Sequence, residues 1–403
     1  MSTPPTAETG FLVRFAHALH AYGSAAHQVE NALEVLSRRL GVSAQSLATP
    51  TSIMFSFGTL ADQRLHLLRV EPGDNDLGRL ARTLAVGRAV YQGQLAPAEA
   101  TARLDAIAAA PARYGWWLTT AAFGLSSAAA ARFLGGGGRE VLAAAVLGAL
   151  VRVLAVLLHP AKGIGHLFPA LAAALVSAAA VALDHAVGPV QHYLTTVAGI
   201  IILVPGLTLT VAITELANRH LVAGTARLSG AMVTLGILGI GVAIGVKTTS
   251  GFLGPPTDAL STALPAWTLL LALIAAPLAF TVLLQAEARD TPWILLTCVL
   301  GFTGVQLGAR ALGPELGAFV GAFVVGAAGT LYGNLLRRPT PVVRVPGLLL
   351  LVPGSVAFRG TTALVDLQVD SGLEIFVRVL LTAIALASGL LVASAVRPAR
   401  LMD

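Results

Sequence analysis

The sequence is poor in charged residues. Of its 403 residues only 11% are charged, 56% are hydrophobic, and the mean hydropathy is +0.79. A water-soluble globular chain carries about 25% charged residues. The composition therefore excludes a soluble globule for most of the chain and predicts a polytopic α-helical membrane protein with the lipid bilayer as its surroundings.

Cysteine is nearly absent as well. Cys298 is the only one and lies in an apolar run, so an intrachain disulfide, a thiolate metal cluster and a redox pair are excluded. A nucleotide-binding loop is also lacking, because Val246 stands where that motif needs its second glycine before Lys247. We expect no metal and no bound cofactor. Any uphill transport must then use an ion gradient, for which protons are the candidate.

Two further absences concern targeting and partners. Residues 1–10 contain neither a basic segment nor an apolar core, so we expect no cleavable signal peptide. The net charge of +6 comes without a basic run, which argues against a nucleic-acid partner. Arginines near span ends favour, by a modest excess, a cell-membrane protein with both termini in the cytoplasm.

Charge is concentrated before the membrane part, and residues 1–114 predict a small soluble α+β domain on the cytoplasmic side. Apolar residues recur at helical spacing on one stripe, which predicts a single amphipathic first helix closed by Gly41. Two short alternating strands and two helices follow it. The predicted elements lie at 10–40, 50–58, 64–70, 77–91 and 97–109.

About ten transmembrane helices follow, each near the length of about 20 residues that a bilayer requires. Their predicted limits are 115–134, 139–158, 166–184, 190–207, 226–246, 264–286, 291–310, 315–335, 342–357 and 374–396. The segment Gly254-Pro255-Pro256 divides them into two five-span repeats, at 115–253 and 254–403. Because five is odd, corresponding spans must cross in opposite directions, so the sequence predicts an inverted repeat.

Two of these spans contain the same interruption. Leu203-Val204-Pro205-Gly206 recurs as Leu351-Val352-Pro353-Gly354, at an offset of 148 residues (353 minus 205). Proline lacks a backbone donor and glycine loosens a helix, so lipid tolerates such a break only where protein or water satisfies the freed groups. Paired breaks at corresponding positions of two repeats are the best sequence pointer to a transporter's binding site.

Polar residues follow the first break closely, and we predict a substrate site built from both breaks and their polar neighbours. Its residues are Pro205, Gly206, Thr208, Thr210, Thr214, Glu215, Asn218, Pro353, Gly354 and Ser355. Glu215 is the candidate for an ammonium group or a proton, unless Glu215 and Asn218 lie in a loop and cap the next span. Arg152 and Arg227 are further charge candidates. Arg152 stands inside the second span and needs an anionic partner, from the protein or the substrate.

Several motifs resemble the threonine/serine exporter family. They are Tyr22-Gly23-Ser24 with Val29-Glu30, Pro50-Thr51, Gly93 with Ala96-Pro97-Ala98-Glu99-Ala100, Pro205-Gly206 with Glu215, Gly224 and Arg227, and Val352-Pro353-Gly354-Ser355. The resemblance covers nearly the whole chain and implies the fused form with both membrane modules. It further implies ten spans, a cytoplasmic amino-terminal domain, and secondary active export of threonine or serine. Where many members have Asp, this chain has the longer acid Glu215. A homo-oligomer is left open.

Two alternatives remain open at this point. The split form of the family is associated with dicarboxylate export, and a substrate such as succinate would give Arg152 and Arg227 larger roles. In another class, the amino-terminal domain is a membrane-tethered hydrolase using Ser24, His27 and Glu30, or a sensor. Those three residues share one predicted helix and have no oxyanion nest beside them, so we do not expect an enzyme.

Overall fold

The computed structural model describes residues 6–59, 61–71, 75–158, 167–257, 261–352, 354–365 and 367–396, and Pro353 of the predicted site lies outside them. The fold is mostly helical. Its helices are α1 (Ala7–Ala21), α2 (Ala26–Arg39), α3 (Leu77–Tyr91), α4 (Pro97–Ala109), α5 (Trp116–Phe133), α6 (Gly138–Leu158), α7 (Phe168–Val187), α8 (His192–Gly199), α9 (Gly206–Ala217), α10 (Leu221–Leu253), α11 (Thr268–Leu283), α12 (Thr291–Leu312), α13 (Pro314–Leu336), α14 (Pro341–Leu351), α15 (Gly354–Val365) and α16 (Val369–Val396).

The amino-terminal unit, α1 to α4 with one sheet, has an α+β fold. The prediction of a single first helix is wrong, because the chain turns between α1 and α2 at Gly23, which takes a φ of +92°. The sheet contains β1 (Ala44–Thr49), β2 (Ser52–Phe57) and β3 (Arg64–Arg69) in that order, and both pairs are antiparallel. β1 was not predicted, since its residues do not alternate large apolar and polar side chains. α3 and α4 have the predicted limits.

Among the residues that the structure describes, six helices are long and apolar enough to cross a membrane, namely α6, α7, α10, α12 with the turn before it, α13 and α16. The number rises to eight if the bent pairs α8/α9 and α14/α15 each count as one span. α11 is a shorter apolar helix and α5 has 18 residues. The described residues therefore form a polytopic membrane protein, while ten spans and their inversion stay predictions.

Both predicted breaks interrupt a helix. α8 and a single 3₁₀ turn at Ile201–Leu203 precede the first break, and α9 continues beyond it at an angle of 52°. α14 and α15 meet at 40°. The predicted limits end both interrupted spans too early, at residues 207 and 357. A helix resumes after each Pro-Gly and continues to Ala217 or Val365, because no further helix-breaking residue follows. Glu215 therefore lies inside α9 rather than in a loop, and Asn218 is the residue that ends this helix.

Helices of the two halves pack in matching ways. In the first half, α6 contacts α8, and α10 contacts both α7 and α9. In the second half, the corresponding contacts are α12 with α14, and α16 with both α13 and α15. Between the halves, α5 packs on α11, and α10 meets α15 while α16 meets α9. Exchanging the two halves leaves this pattern of contacts unchanged.

Candidate functional site

The two breaks touch each other. Gly206 and Gly354 are both buried, and a Cβ atom added to Gly206 would lie 3.0 Å from Cα of Gly354 and overlap Cγ1 of Val352. A Cβ atom on Gly354 would lie 3.3 Å from Cα of Gly206 and 3.2 Å from Cγ1 of Val204. Only glycine allows two backbones this close. We call this contact of Val204 and Gly206 with Val352 and Gly354 the crossing.

Four helix ends meet at the crossing. α9 begins at Gly206 and α15 at Gly354, while the turn after α8 ends at Leu203 and α14 ends at Leu351. No side chain caps the start of α9. The first N–H groups of a helix are free and carry partial positive charge, and the last carbonyl groups are free and carry partial negative charge. The crossing thus places backbone donors and acceptors side by side within the helical bundle.

The threonines after the first break are engaged to different degrees. Thr210 donates to the carbonyl of Gly206 at 3.4 Å, and Thr214 donates to the carbonyl of Thr210 at 2.8 Å. Asn218 likewise donates from Nδ2 to the carbonyl of Thr214 at 2.8 Å. These side chains bind their own helix as it leads away from the crossing.

Two predicted hydroxyls stay at the crossing. Thr208 and Ser355 stand in the first turns of α9 and α15, and both are half-buried. Neither hydroxyl forms a hydrogen bond with the part of the chain that the structure describes. They are therefore the hydroxyls of the predicted set that no described protein group occupies in the first helical turn beyond each break.

Glu215 lies nine residues beyond Gly206, which is about 14 Å along α9. Its side chain is fully buried, and its two oxygens accept hydrogen bonds from Nε of Arg227 at 3.0 and 3.1 Å. One of them also accepts the backbone N–H of Ala26 at 3.0 Å. Ala26 begins α2, and its N-cap residue Ala25 supplies no side-chain cap. Glu215 therefore caps a helix of the amino-terminal unit and joins that unit to α9 and α10.

Histidines extend this contact. Nδ1 of His220 lies 3.4 Å from Oε2 of Glu30, and the rings of His220 and His27 are 5.8 Å apart. Burial, followed by the charges of His220 and Arg227, lowers the pKa of His27 from 6.5 to about 4, so its ring is neutral at pH 7. We call Ala26, His27, Glu30, Glu215, His220 and Arg227 the docking contact.

The docking contact also bears on the hydrolase alternative. Ser24 is buried, and no hydrogen bond joins it to His27, or His27 to Glu30, among the described residues. Glu30 instead accepts the backbone N–H of Ala48 at 2.7 Å. The side chains proposed as a reactive group thus serve packing and docking.

Arg152 lies apart from the docking contact. It is half-buried on α6, its guanidinium carbon lies 5.9 Å from the ring centre of Phe123, and its buried Nε has no hydrogen-bond partner among the described residues. A cation over an aromatic face is stabilised by about 0.5–2 kcal/mol, which does not replace a carboxylate. The predicted anionic partner is thus not supplied by the part of the chain described here.

Sequence reasoning overlooked a set of buried acids near the helix ends. Glu140, Asp184 and Asp290 are each at most 3% exposed, and Glu287 binds several arginines beside Asp290. A weak signal existed, since an acid within the first turn of a long apolar helix has few reasons to be there other than capping or pairing.

Two family models match the chain in succession. One, described as a threonine/serine exporter, matches residues 10–249, and the other, described as Threonine/Serine exporter, ThrE, matches residues 268–396. The chain belongs to the threonine/serine exporter family. It carries both modules of that family on one polypeptide, which is the fused form.

Several fungal proteins are similar to the chain. Pheromone-regulated membrane protein 10 of Candida albicans is 26% identical over 364 residues, which cover 87% of this chain and 33% of the relative. The protein of the same name in Yarrowia lipolytica is 26% identical over 370 residues, covering 87% and 30%. An uncharacterized protein of Schizosaccharomyces pombe is 25% identical over 367 residues, covering 87% and 44%. The chain spans less than half the length of these relatives, two of which are named as membrane proteins. No solved structure matches the chain at a significant level.

Proposed function

We propose that the chain is a secondary active exporter that binds threonine or serine at the crossing and moves it out across the cell membrane, coupled to protons. The contact of Gly206 with Gly354 is the observation that carries this proposal. A small amino acid is a zwitterion at neutral pH. Its carboxylate suits the N–H groups in the first turns of α9 and α15, apart from that of Gly206, which donates to the carbonyl of Val204 at 2.8 Å. Its ammonium group suits the carbonyls that end α14 and the turn after α8.

The side chains at the crossing favour a hydroxyl-bearing amino acid. Thr208 and Ser355 each present a hydroxyl in the first turn of a helix that begins there. A site that hydrogen-bonds a substrate hydroxyl rejects analogues that lack it, because the protein groups are then left unpaired. This supports threonine and serine over alanine or valine.

The helix ends lie at two opposite ends of the bundle, and ten spans in two inverted repeats explain this arrangement best. At one end, which we call the docked end, the amino-terminal unit binds His220 before α10, the carbonyl of Leu284 after α11 at 2.9 Å, and that of Arg337 after α13 at 2.7 Å. At the opposite, far end, Arg132 in the last turn of α5 donates to the hydroxyl of Thr268, the first residue of α11, at 2.6 Å. The chain passes from one end of the bundle to the other ten times if α5, α11 and each bent pair are counted as one span each. The positive-inside rule then favours a cytoplasmic docked end with both termini inside.

Glu215 acts, in this proposal, by holding the amino-terminal unit against the helix that starts at the crossing. Its carboxylate oxygens are taken by Arg227 and the N–H of Ala26, and about 14 Å of helix separates it from Gly206. Direct contact with the ammonium group of a substrate at the crossing is therefore less well supported than a docking role.

One observation favours a second candidate, the export of a small dicarboxylate. The guanidinium of Arg152 has no acidic partner in the described part of the chain, and a second carboxylate on the substrate would supply one. A zwitterion has a single carboxylate for the helix ends, so succinate and threonine make different demands on Arg152.

Efflux from proteoliposomes tests the proposal. Vesicles containing the purified full-length protein are loaded with labelled threonine, serine or succinate, and vesicles without protein serve as the control. We expect efflux of threonine and serine, faster into an acidic exterior than without a pH gradient, because protons entering drive the substrate out. Efflux of succinate alone would support the dicarboxylate candidate instead. Efflux of none of the three would contradict both.

A further inference from the structure

Buried acids at the far end hold the residues that lead into the first bent pair. Oε1 of Glu140, in the first turn of α6, accepts the backbone N–H of Gln191 at 3.2 Å, and Gln191 is the N-cap of α8. Oδ1 of Asp184 accepts the backbone N–H of Val190 at 2.9 Å. Glu140 also accepts the N–H of Gly137 at 2.9 Å. The start of α8 is thereby tied to α6 and α7.

An analogous arrangement exists at the docked end. Asp290, directly before α12, accepts a hydrogen bond from the hydroxyl of Tyr332 at 2.7 Å and forms an ion pair with Arg338. Arg338 also pairs with Glu287, which lies 3.5 Å from Arg113. Since Arg338 stands three residues before α14, these contacts tie the start of the second bent pair to α12 and α13.

The two arrangements occupy matching places in the two halves. The offset of 148 residues that relates the Pro-Gly motifs takes position 184 to 332 and position 191 to 339. In the first half, Glu140 lies at the start of the second helix and Asp184 at the end of the third, and both bind residues that lead into α8. In the second half, Glu287 and Asp290 lie before the second helix and bind Arg338, which leads into α14. One set is at the far end of the bundle and the other at the docked end.

We propose that these are paired latches, which close the two routes to the crossing in turn. The far latch consists of Glu140, Asp184, Val190 and Gln191, and the docked latch consists of Glu287, Asp290, Tyr332 and Arg338. This rests on the proposed transport function, since an exporter must expose its site to one side at a time. The latch residues position α8 and α14 and do not touch the substrate.

An unpaired oxygen atom in the docked latch favours its opening. Oδ2 of Asp290 is buried and has no hydrogen-bond partner among the described residues. A carboxylate held on one oxygen only is incompletely compensated for its burial, so exposure to water recovers part of that cost. Removing the charge of Asp290 leaves the half-buried Arg338 with one anionic partner fewer, which should shift the population further toward the open state.

Cys298 is a native reporter for this opening. It is the only cysteine, is fully buried, and lies eight residues, about two turns, beyond Asp290 on α12. It belongs to the same apolar cluster as Ile294, Val343 and Tyr332, and Tyr332 is itself part of the docked latch. Movement of α14 away from α12 would uncover its thiol.

The test is the rate at which N-ethylmaleimide alkylates Cys298 in the reconstituted full-length protein, followed by mass spectrometry. We expect Asp290→Asn to raise this rate about tenfold and Arg338→Gln to do the same, as a local opening becomes more populated. Tyr332→Phe, which removes one hydrogen bond, should have a smaller effect. Glu140→Gln, which loosens the far latch, should leave the rate unchanged or lower it.

Controls separate the latch from general loosening. Glu374→Gln breaks an exposed pair with Arg378 on α16 and should leave alkylation at the wild-type rate. Wild-type rates for both Asp290→Asn and Arg338→Gln would overturn the proposal, as would equal acceleration by Glu140→Gln. Alkylation needs no knowledge of the substrate, so altered rates together with a failed efflux test would refute only the substrate assignment.

Discussion

Replacement of Gly206 by valine is expected to lower threonine efflux by about 100-fold or more, the size of effect that misplacement of a site by about 1 Å produces. The added side chain would overlap Val352 and press on the backbone of Gly354 at 3.0 Å. Backbone atoms cannot turn aside as a flexible side chain can, so the two breaks must separate. The four helix ends would then no longer face one ligand.

The matched control is Gly230→Val on α10, where an added Cβ meets nothing within 4 Å. Initial efflux rates are compared at equal amounts of reconstituted protein, and thermal unfolding is measured in detergent. Overpacking costs about 1–3 kcal/mol, so Gly206→Val should still be recovered as folded protein. Transport by Gly206→Val at the rate of Gly230→Val would show that the crossing is not the site.

Replacement of Glu215 by alanine is expected to destabilise the protein by up to about 3–5 kcal/mol, because it leaves the half-buried charge of Arg227 uncompensated. Loss of the cap on the N–H of Ala26 adds about 1 kcal/mol. Thermal unfolding in detergent measures the sum. Glu374→Ala is the control, since its ion pair with Arg378 is exposed and contributes about 0–1 kcal/mol.

Glu215→Gln distinguishes docking from proton coupling at the same position. Glutamine can still accept the N–H of Ala26 but cannot titrate. If Glu215 joins the amino-terminal unit to α9, efflux by this variant should keep its dependence on the pH gradient. Loss of that dependence at unchanged thermal stability would instead make Glu215 the coupling residue.

Much of the fold was predictable because it depends on local patterns. Long apolar runs, helix caps and the two Pro-Gly pairs predicted α3, α4 and both helix breaks near their observed places. The turn at Gly23 was not predictable, because the apolar spacing of α1 continues in phase into α2. β1 was overlooked because the strand lacks large alternating side chains, and its order comes from pairing with β2.

The docking contact and the latches could not be read from the sequence for a different reason. Glu215 binds a backbone N–H that lies 189 residues earlier, and Glu140 and Asp184 also bind backbone N–H groups. Every residue except proline has such a group, so no residue type marks the partner. The recurrence of Pro-Gly predicted two breaks, but only the structure shows that Gly206 and Gly354 touch.

We propose that the crossing recognises both charged ends of a small amino acid. It is tested most directly by equilibrium binding to the purified protein, measured as ligand-dependent thermal stabilisation with threonine, threonine methyl ester and N-acetylthreonine. A ligand at a hundred times its Kd stabilises the folded state by about 2.7 kcal/mol. Stabilisation is expected with threonine alone and should be lost in Gly206→Val. Equal stabilisation by the ester or the N-acetyl derivative would contradict it.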